Sequence, residues 1–169
     1  MKRNIVLVGF MGAGKTVVAQ ELSGILKWDL VSTDLLIEQK EGRPITQIFS
    51  DSGEPYFRKV ESAIVRELSA RQGLVIDCGG GVVLSDNNII DLKKSGVIFY
   101  LSATPDVIYK RIKDQTHRPL LNVSHPEAEI KKLLQAREPR YQKADHVIDT
   151  CAKTPRQVAE EIMRLASDD

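Results

Sequence analysis

An α/β fold, with a central parallel sheet of about five strands flanked by helices, is predicted by three observations. Short runs rich in β-branched residues recur along the chain, helical patterns separate them, and a glycine-rich octet, GFMGAGKT, follows the first run. Continuous apolar strands alternating with helices imply a parallel sheet covered on both faces. The length of 169 residues fits one domain over 1–169, since domains commonly run to roughly 100–200 residues. Hydrophobic residues at 42% and charged residues at 28% are ordinary globular usage and indicate neither disorder nor a fibrous repeat.

The strand runs, in order, are Ile5 to Val8, Leu30 to Val31, Leu74 to Ile76, Val97 to Leu101 and His146 to Ile148. A helix is expected to begin near Lys15, where Val17, Val18, Leu22, Ile25 and Leu26 supply its apolar positions. The stretch from 34 to 61 is interrupted by Glu41-Gly42-Arg43-Pro44 and Ser52-Gly53-Glu54-Pro55, and reads as short helices set outside the sheet. From 112 to 124 the chain is polar at first and without a clear period, which predicts a surface loop of the kind that forms lids. Ser124-His125-Pro126-Glu127 and Thr154-Pro155-Arg156-Gln157 each read as a capping box with proline at the first helical position.

Charge and composition narrow the function classes. A formal net charge of +1 carries no polyanion signature, so neither nucleic acid nor a membrane surface is an expected partner, and any anion must be met by a local site. The N-terminal apolar run is too short for a signal peptide, and no apolar stretch approaches the ~20 residues that span a bilayer, so a cytoplasmic protein is expected. Cys78 and Cys151 are too far apart for a metal knuckle, and His117, His125 and His146 have no zinc-site spacing. Nothing in the sequence demands an oligomer, and a monomer is expected.

The octet places Gly9, Gly14, Lys15 and Thr16 at the fixed positions of G-x-x-x-x-G-K-[ST]. Glycines let successive backbone N–H groups turn inward, the helix start presents its positive end, and the lysine reaches the outer phosphates. Thr16 can offer its hydroxyl to Mg²⁺. A chance glycine-rich turn would match these positions at roughly one starting point in 10⁴. The strand before and the helix after reduce that further, so a site for a nucleoside triphosphate is predicted over Gly12, Ala13, Gly14, Lys15, Thr16 and Val17.

Asp34 follows the second strand, and Gly79-Gly80-Gly81 follows the third. In an open α/β sheet those strand ends share one crevice with the phosphate cradle. A carboxylate there can accept a proton from an acceptor hydroxyl, and glycines let that acceptor approach the backbone. Taken singly, Asp34 reads equally well as a helix cap, the triple glycine as a turn and Arg58 as a solvated helix charge.

The order of GFMGAGKT, Asp34, EPYFRKVE (Glu54 to Glu61), GGG (Gly79 to Gly81), RPLL (Arg118 to Leu121) and REPRY (Arg137 to Tyr141) resembles the shikimate kinase family over nearly the whole chain. The resemblance implies a P-loop kinase of the nucleoside monophosphate kinase-like fold, with an acceptor-binding insertion over about 34–61 and a lid over about 112–124. It implies ATP and Mg²⁺ as cofactors and transfer of the γ-phosphate to the 3-hydroxyl of shikimate, on the route to chorismate and the aromatic amino acids. By that resemblance Asp34 orients or deprotonates the hydroxyl, Arg58 and Arg137 hold the carboxylate, and Gly79, Gly80 and Gly81 line the acceptor pocket. Planar guanidinium groups suit that task because each donates paired hydrogen bonds to a carboxylate. Arg118 resembles the lid arginine that reaches the transferring phosphate, and Arg111 and Pro155 resemble positions flanking adenine.

The chain departs from the family at one pair of positions. The family commonly carries D-x-D after the second strand, its first aspartate organising Mg²⁺ through water; here the triplet is Ser32-Thr33-Asp34. Asp77 stands at the end of the third strand, where the family has a small neutral residue. The expectation is that the acid has moved between adjacent strand ends and that Asp77 joins Thr16 on the metal side. Asp77 as a cap of the following turn is the plain alternative. A GTPase switch is disfavoured by the lack of N-K-x-D, and a nucleoside monophosphate kinase by the lack of a D-G-F-P-R-like stretch. A gluconate kinase and a non-catalytic ATP-sensing paralogue remain as alternatives.

Overall fold

The five strands are β1 (Asn4–Val8), β2 (Asp29–Ser32), β3 (Leu74–Asp77), β4 (Gly96–Ser102) and β5 (His146–Asp149), each covering an expected run. They form one parallel sheet in the order β2-β3-β1-β4-β5. This computed structural model describes residues 3–115 and 123–168. Every residue of β1 is buried, because successive side chains point to opposite faces and both faces are covered. Val6 and Val8 join Ile98 and Tyr100 of β4 in one apolar cluster, while Ile5 and Leu7 join Val97, Phe99 and Leu101 in the other.

Two helices, α1 (Lys15–Leu26) and α7 (Pro155–Asp168), close the second face through Val18, Ala19, Leu22, Val158, Ala159 and Ile162. The first face is closed by α3 (Ile45–Ser69), α4 (Asp86–Ser95), α5 (Pro105–Ile112) and α6 (Pro126–Tyr141). Between β2 and α3 lies α2 (Thr33–Glu41). Each fully buried aliphatic side chain contributes about 1.5–3 kcal/mol, so the two layers suffice to hold the strand ends where the crevice opens.

The region from 34 to 61 is helical, as expected, and both glycine interruptions mark real breaks. Gly42 ends α2 at φ +66°, and Gly53 (φ +80°, ψ 168°) kinks α3, with Pro55 unable to donate an N–H just beyond it. The helical run after the kink is longer than expected, because Val60, Ile64, Val65 and Leu68 continue its apolar face to Ser69. Thr154 forms its capping box: the Gln157 N–H donates to its Oγ1 at 3.2 Å, and its own N–H donates to Gln157 Oε1 at 2.9 Å. Ser124 does not. There His125 occupies the cap without a side-chain bond and Pro126 sets the first turn, which leaves Ser124 one residue too far out. The expected lid also begins too early, since Ile112 is the buried last residue of α5. Residues 116–122 of that lid, with Arg118 and His117, lie outside the described residues.

Candidate active site

The cradle forms where β1 ends. Gly14 caps α1 at φ +97°, a left-handed conformation that glycine adopts without penalty, and the following N–H groups open the helix toward the crevice. Lys15 Nζ donates to the carbonyls of Gly9 and Phe10 at 2.8 and 3.0 Å. Ala13 is buried beneath the loop, whereas Val17 is exposed at its rim. Behind the cradle, Arg111 donates to Gly12 O at 3.1 Å, to Thr150 Oγ1 at 3.2 Å and to Thr150 O at 2.9 Å. The buried Thr150 hydroxyl lies 3.1 Å from both Ala13 O and Ser102 O, so it ties the end of β5 to the phosphate loop.

A cavity of about 470 Å³ joins the cradle to the carboxyl ends of β2 and β3. It gathers Gly12, Gly14, Lys15, Thr16, Val17, Asp34, Arg58, Asp77, Gly79, Gly80, Gly81 and Arg137, all expected from the sequence. Arg111 and Pro155 are not part of this lining: Arg111 stands behind the loop, and Pro155 begins α7 on the surface.

Asp34 sits in the first turn of α2, whose cap is Ser32. Burial pushes its carboxyl above the ordinary aspartate value; Lys15 opposes that shift and Asp77 adds to it. The close approach of Gly79 is specific, since a Cβ there would stand 2.5 Å from Asp34 Oδ1. The Gly79 N–H donates to the buried Thr33 Oγ1 at 2.9 Å, which fastens the triple glycine to α2. A Cβ on Gly81 would run into the Arg58 guanidinium, and one on Gly80 would lie 3.8 Å from Arg137 Nη1. The glycine loop is therefore the surface against which the acid and both guanidinium groups converge.

Each arginine has a support that sequence reasoning had not assigned. Arg58 Nη1 donates to both oxygens of Glu61 at 3.0 and 2.9 Å, and its other nitrogens donate to Glu54 Oε1 at 3.2 and 3.3 Å. Glu61 is only 1% exposed; burial raises its pKa, with Arg58 opposing. Helical spacing of three residues was the available signal for this pair. Arg137 lies over the Phe10 ring at 5.7 Å, one helical turn before Tyr141, whose hydroxyl donates to Gly80 O at 2.6 Å. Phe49 and Phe57, with ring centroids 4.7 Å apart, give the cavity an apolar wall that no sequence period announced.

Where the sequence places the metal side, Thr16 Oγ1 donates to Asp77 Oδ2 at 2.7 Å. Asp77 pairs in register with Ser32 across the β2–β3 ladder, so the two strand ends at which an acid could stand are immediate neighbours. Burial raises the Asp77 carboxyl pKa, and the Thr16 hydrogen bond and Lys15 oppose the rise.

A family model described as shikimate kinase matches residues 11–167. A shikimate kinase of Thermodesulfovibrio yellowstonii is 49% identical over 162 residues, covering 96% of this chain and 94% of its own. The structure of a shikimate kinase from Acinetobacter baumannii in complex with shikimate superposes with a TM-score of 0.92 at 36% identity, over 99% of this chain and 94% of its own. A gluconokinase from Sinorhizobium meliloti reaches a TM-score of 0.62 at 19% identity, over 98% of this chain and 94% of its own, and shares the fold alone.

Proposed function

The chain belongs to the shikimate kinase family, and we propose that it performs the family's reaction through the residues that converge on its glycine loop. It is an ATP-dependent kinase that uses Mg²⁺ and phosphorylates a hydroxyl of shikimate, a step of aromatic amino acid biosynthesis. The gluconate kinase alternative is not favoured, because that likeness stops at the fold. The observation that supports the residue assignment is the approach of Asp34, Arg58 and Arg137 to Gly79, Gly81 and Gly80, beside the phosphate cradle.

In this reading Arg58 and Arg137 hold the shikimate carboxylate, while Asp34 accepts the proton of the 3-hydroxyl as its oxygen attacks the γ-phosphorus and ADP leaves. The backbone N–H groups of Gly12 to Val17 and the Lys15 ammonium receive the phosphates, where fixed dipoles and charge cost no reorganisation. Arg118 is assigned to the transferring phosphate, and Arg111 and Pro155 to the adenine side.

Thr16 and Asp77 suit Mg²⁺, a hard cation that prefers oxygen donors and keeps waters and substrate phosphates rather than a full protein cage. In keeping with that, no group of three or more His, Cys, Asp or Glu among the described residues forms such a cage. When bound, Mg²⁺ neutralises charge on the β- and γ-phosphate oxygens. Asp77 then supplies the carboxylate that Ser32 cannot, from the neighbouring strand end. The Asp77→Asn variant should need more Mg²⁺ for half-maximal turnover and should bind ATP more weakly than the wild type in calorimetry with Mg²⁺ but equally well without it; unchanged values on both counts would return Asp77 to a turn cap.

No described helix is long and apolar enough to cross a membrane. A working monomer is part of this reading, to be checked by light scattering under assay conditions. The function itself is tested by ADP release from the purified protein with ATP and Mg²⁺. Shikimate is compared with gluconate, nucleoside monophosphates and no acceptor. Release with shikimate alone, and a shikimate product heavier by one phosphate, is the expected result. Equal release with gluconate would overturn the acceptor assignment.

A further inference from the structure

We propose that Tyr141 is a positioning residue of the acceptor pocket, its hydroxyl fixing the Gly80 peptide to the helix that carries Arg137. The inference rests on the reading of this crevice as the shikimate site. Tyr141 is the last residue of α6 and is completely buried, its ring stacked on Tyr100 with centroids 4.8 Å apart and planes 12° apart. Such packing leaves the ring no room to pivot. Its hydroxyl donates to Gly80 O at 2.6 Å. Gly80 is also where the glycine loop meets Arg137, since a Cβ there would lie 3.8 Å from Arg137 Nη1.

The consequence reaches two parts of the pocket. Arg137 and Tyr141 are one helical turn apart on the same face of α6, so the helix that the tyrosine bonds to the glycine loop is the one that presents the guanidinium there. Gly80 O and the Gly81 N–H belong to one trans peptide and point opposite ways, so holding the carbonyl also decides where the Gly81 N–H points. A second tie locks the same turn: the Tyr100 hydroxyl donates to Glu138 Oε2 at 2.7 Å, anchoring α6 to β4. The stacked tyrosines thus connect the sheet, the helix that carries Arg137 and the glycine loop.

The Tyr141→Phe variant keeps the stack and removes only the hydroxyl. Steady-state kinetics and shikimate calorimetry are measured on it and on the wild-type enzyme. A neutral hydrogen bond has been lost, so KM and Kd for shikimate should rise about three- to tenfold, with kcat within about twofold and the KM for ATP unchanged. A purely structural role would lower the folded fraction, scaling kcat and leaving KM fixed. An unchanged shikimate KM, whatever happens to kcat, overturns the proposal; so does a rise matched by ATP. Wild-type protein that neither binds nor phosphorylates shikimate overturns the functional reading and this inference together, and that outcome is recognised before the variant is compared.

Discussion

The two ends of the crevice, nucleotide and acceptor in the proposed reading, are built in different ways. The nucleotide end is one contiguous octet whose working groups are mainly backbone N–H, braced from behind by Arg111 and Thr150. The acceptor end draws Asp34 from α2, Arg58 and Glu61 from α3, the glycines from the loop after β3, and Arg137 and Tyr141 from α6. Its working groups are side chains, and its supports are ion pairs and a buried tyrosine. A phosphate chain is the same in every nucleotide substrate and can be met by a local backbone device. A particular hydroxy acid has to be met by side chains brought together by the tertiary fold.

That contrast can be broken or sharpened by substitution at either end. Of the substitutions confined to one end, the largest effect is expected from Lys15→Ala, which removes the charge that the proposed reading gives to the phosphates; turnover should fall by roughly 10²–10³-fold with shikimate binding retained in calorimetry. Next comes Arg58→Ala, which deletes a charge-assisted contact and leaves the buried Glu61 without its partner. The KM for shikimate should rise by about 10- to 100-fold while the KM for ATP stays put. An equal rise in both constants would erase the distinction between the ends. The smallest effect belongs to Thr150→Val, which loosens the brace behind the cradle. It should cost about 0.5–1.5 kcal/mol in urea unfolding and raise the KM for ATP a few-fold, with shikimate unaffected.

The same contrast explains what could be read beforehand. The central strands β3, β1 and β4 are visible as continuous apolar runs because both faces of the sheet are buried there, the edge strands β2 and β5 only as shorter ones, and the cradle because its residues are consecutive. Asp34, Arg58 and Arg137 have ordinary alternative readings one at a time, and only the order of motifs shared with a family joined them. The in-register pairing of Ser32 with Asp77 gives the proposed exchange of acids between strand ends a geometry that sequence alone could not supply. Glu61, Tyr141 and Thr150 were passed over because each acts on another residue across the fold, and such support leaves no local pattern. Ser124 misled for the opposite reason: it has the right spacing for a cap, but the helix starts at the proline.

The two ends are held to meet at Asp34, which faces Gly79 on the acceptor side and feels the charge of Lys15 on the other. Since burial raises its pKa, the ionised form needed to accept a proton is lost on acidification sooner than for a free aspartate. The acid limb of kcat should accordingly lie above the ordinary aspartate range. The most direct test is Asp34→Asn, assayed for ADP release and titrated separately with shikimate and a non-hydrolysable ATP analogue. Both ligands should bind nearly as they do to the wild type while turnover falls by roughly 10²–10⁴-fold. Turnover within a few-fold of wild type would contradict the meeting of the two ends at this carboxylate.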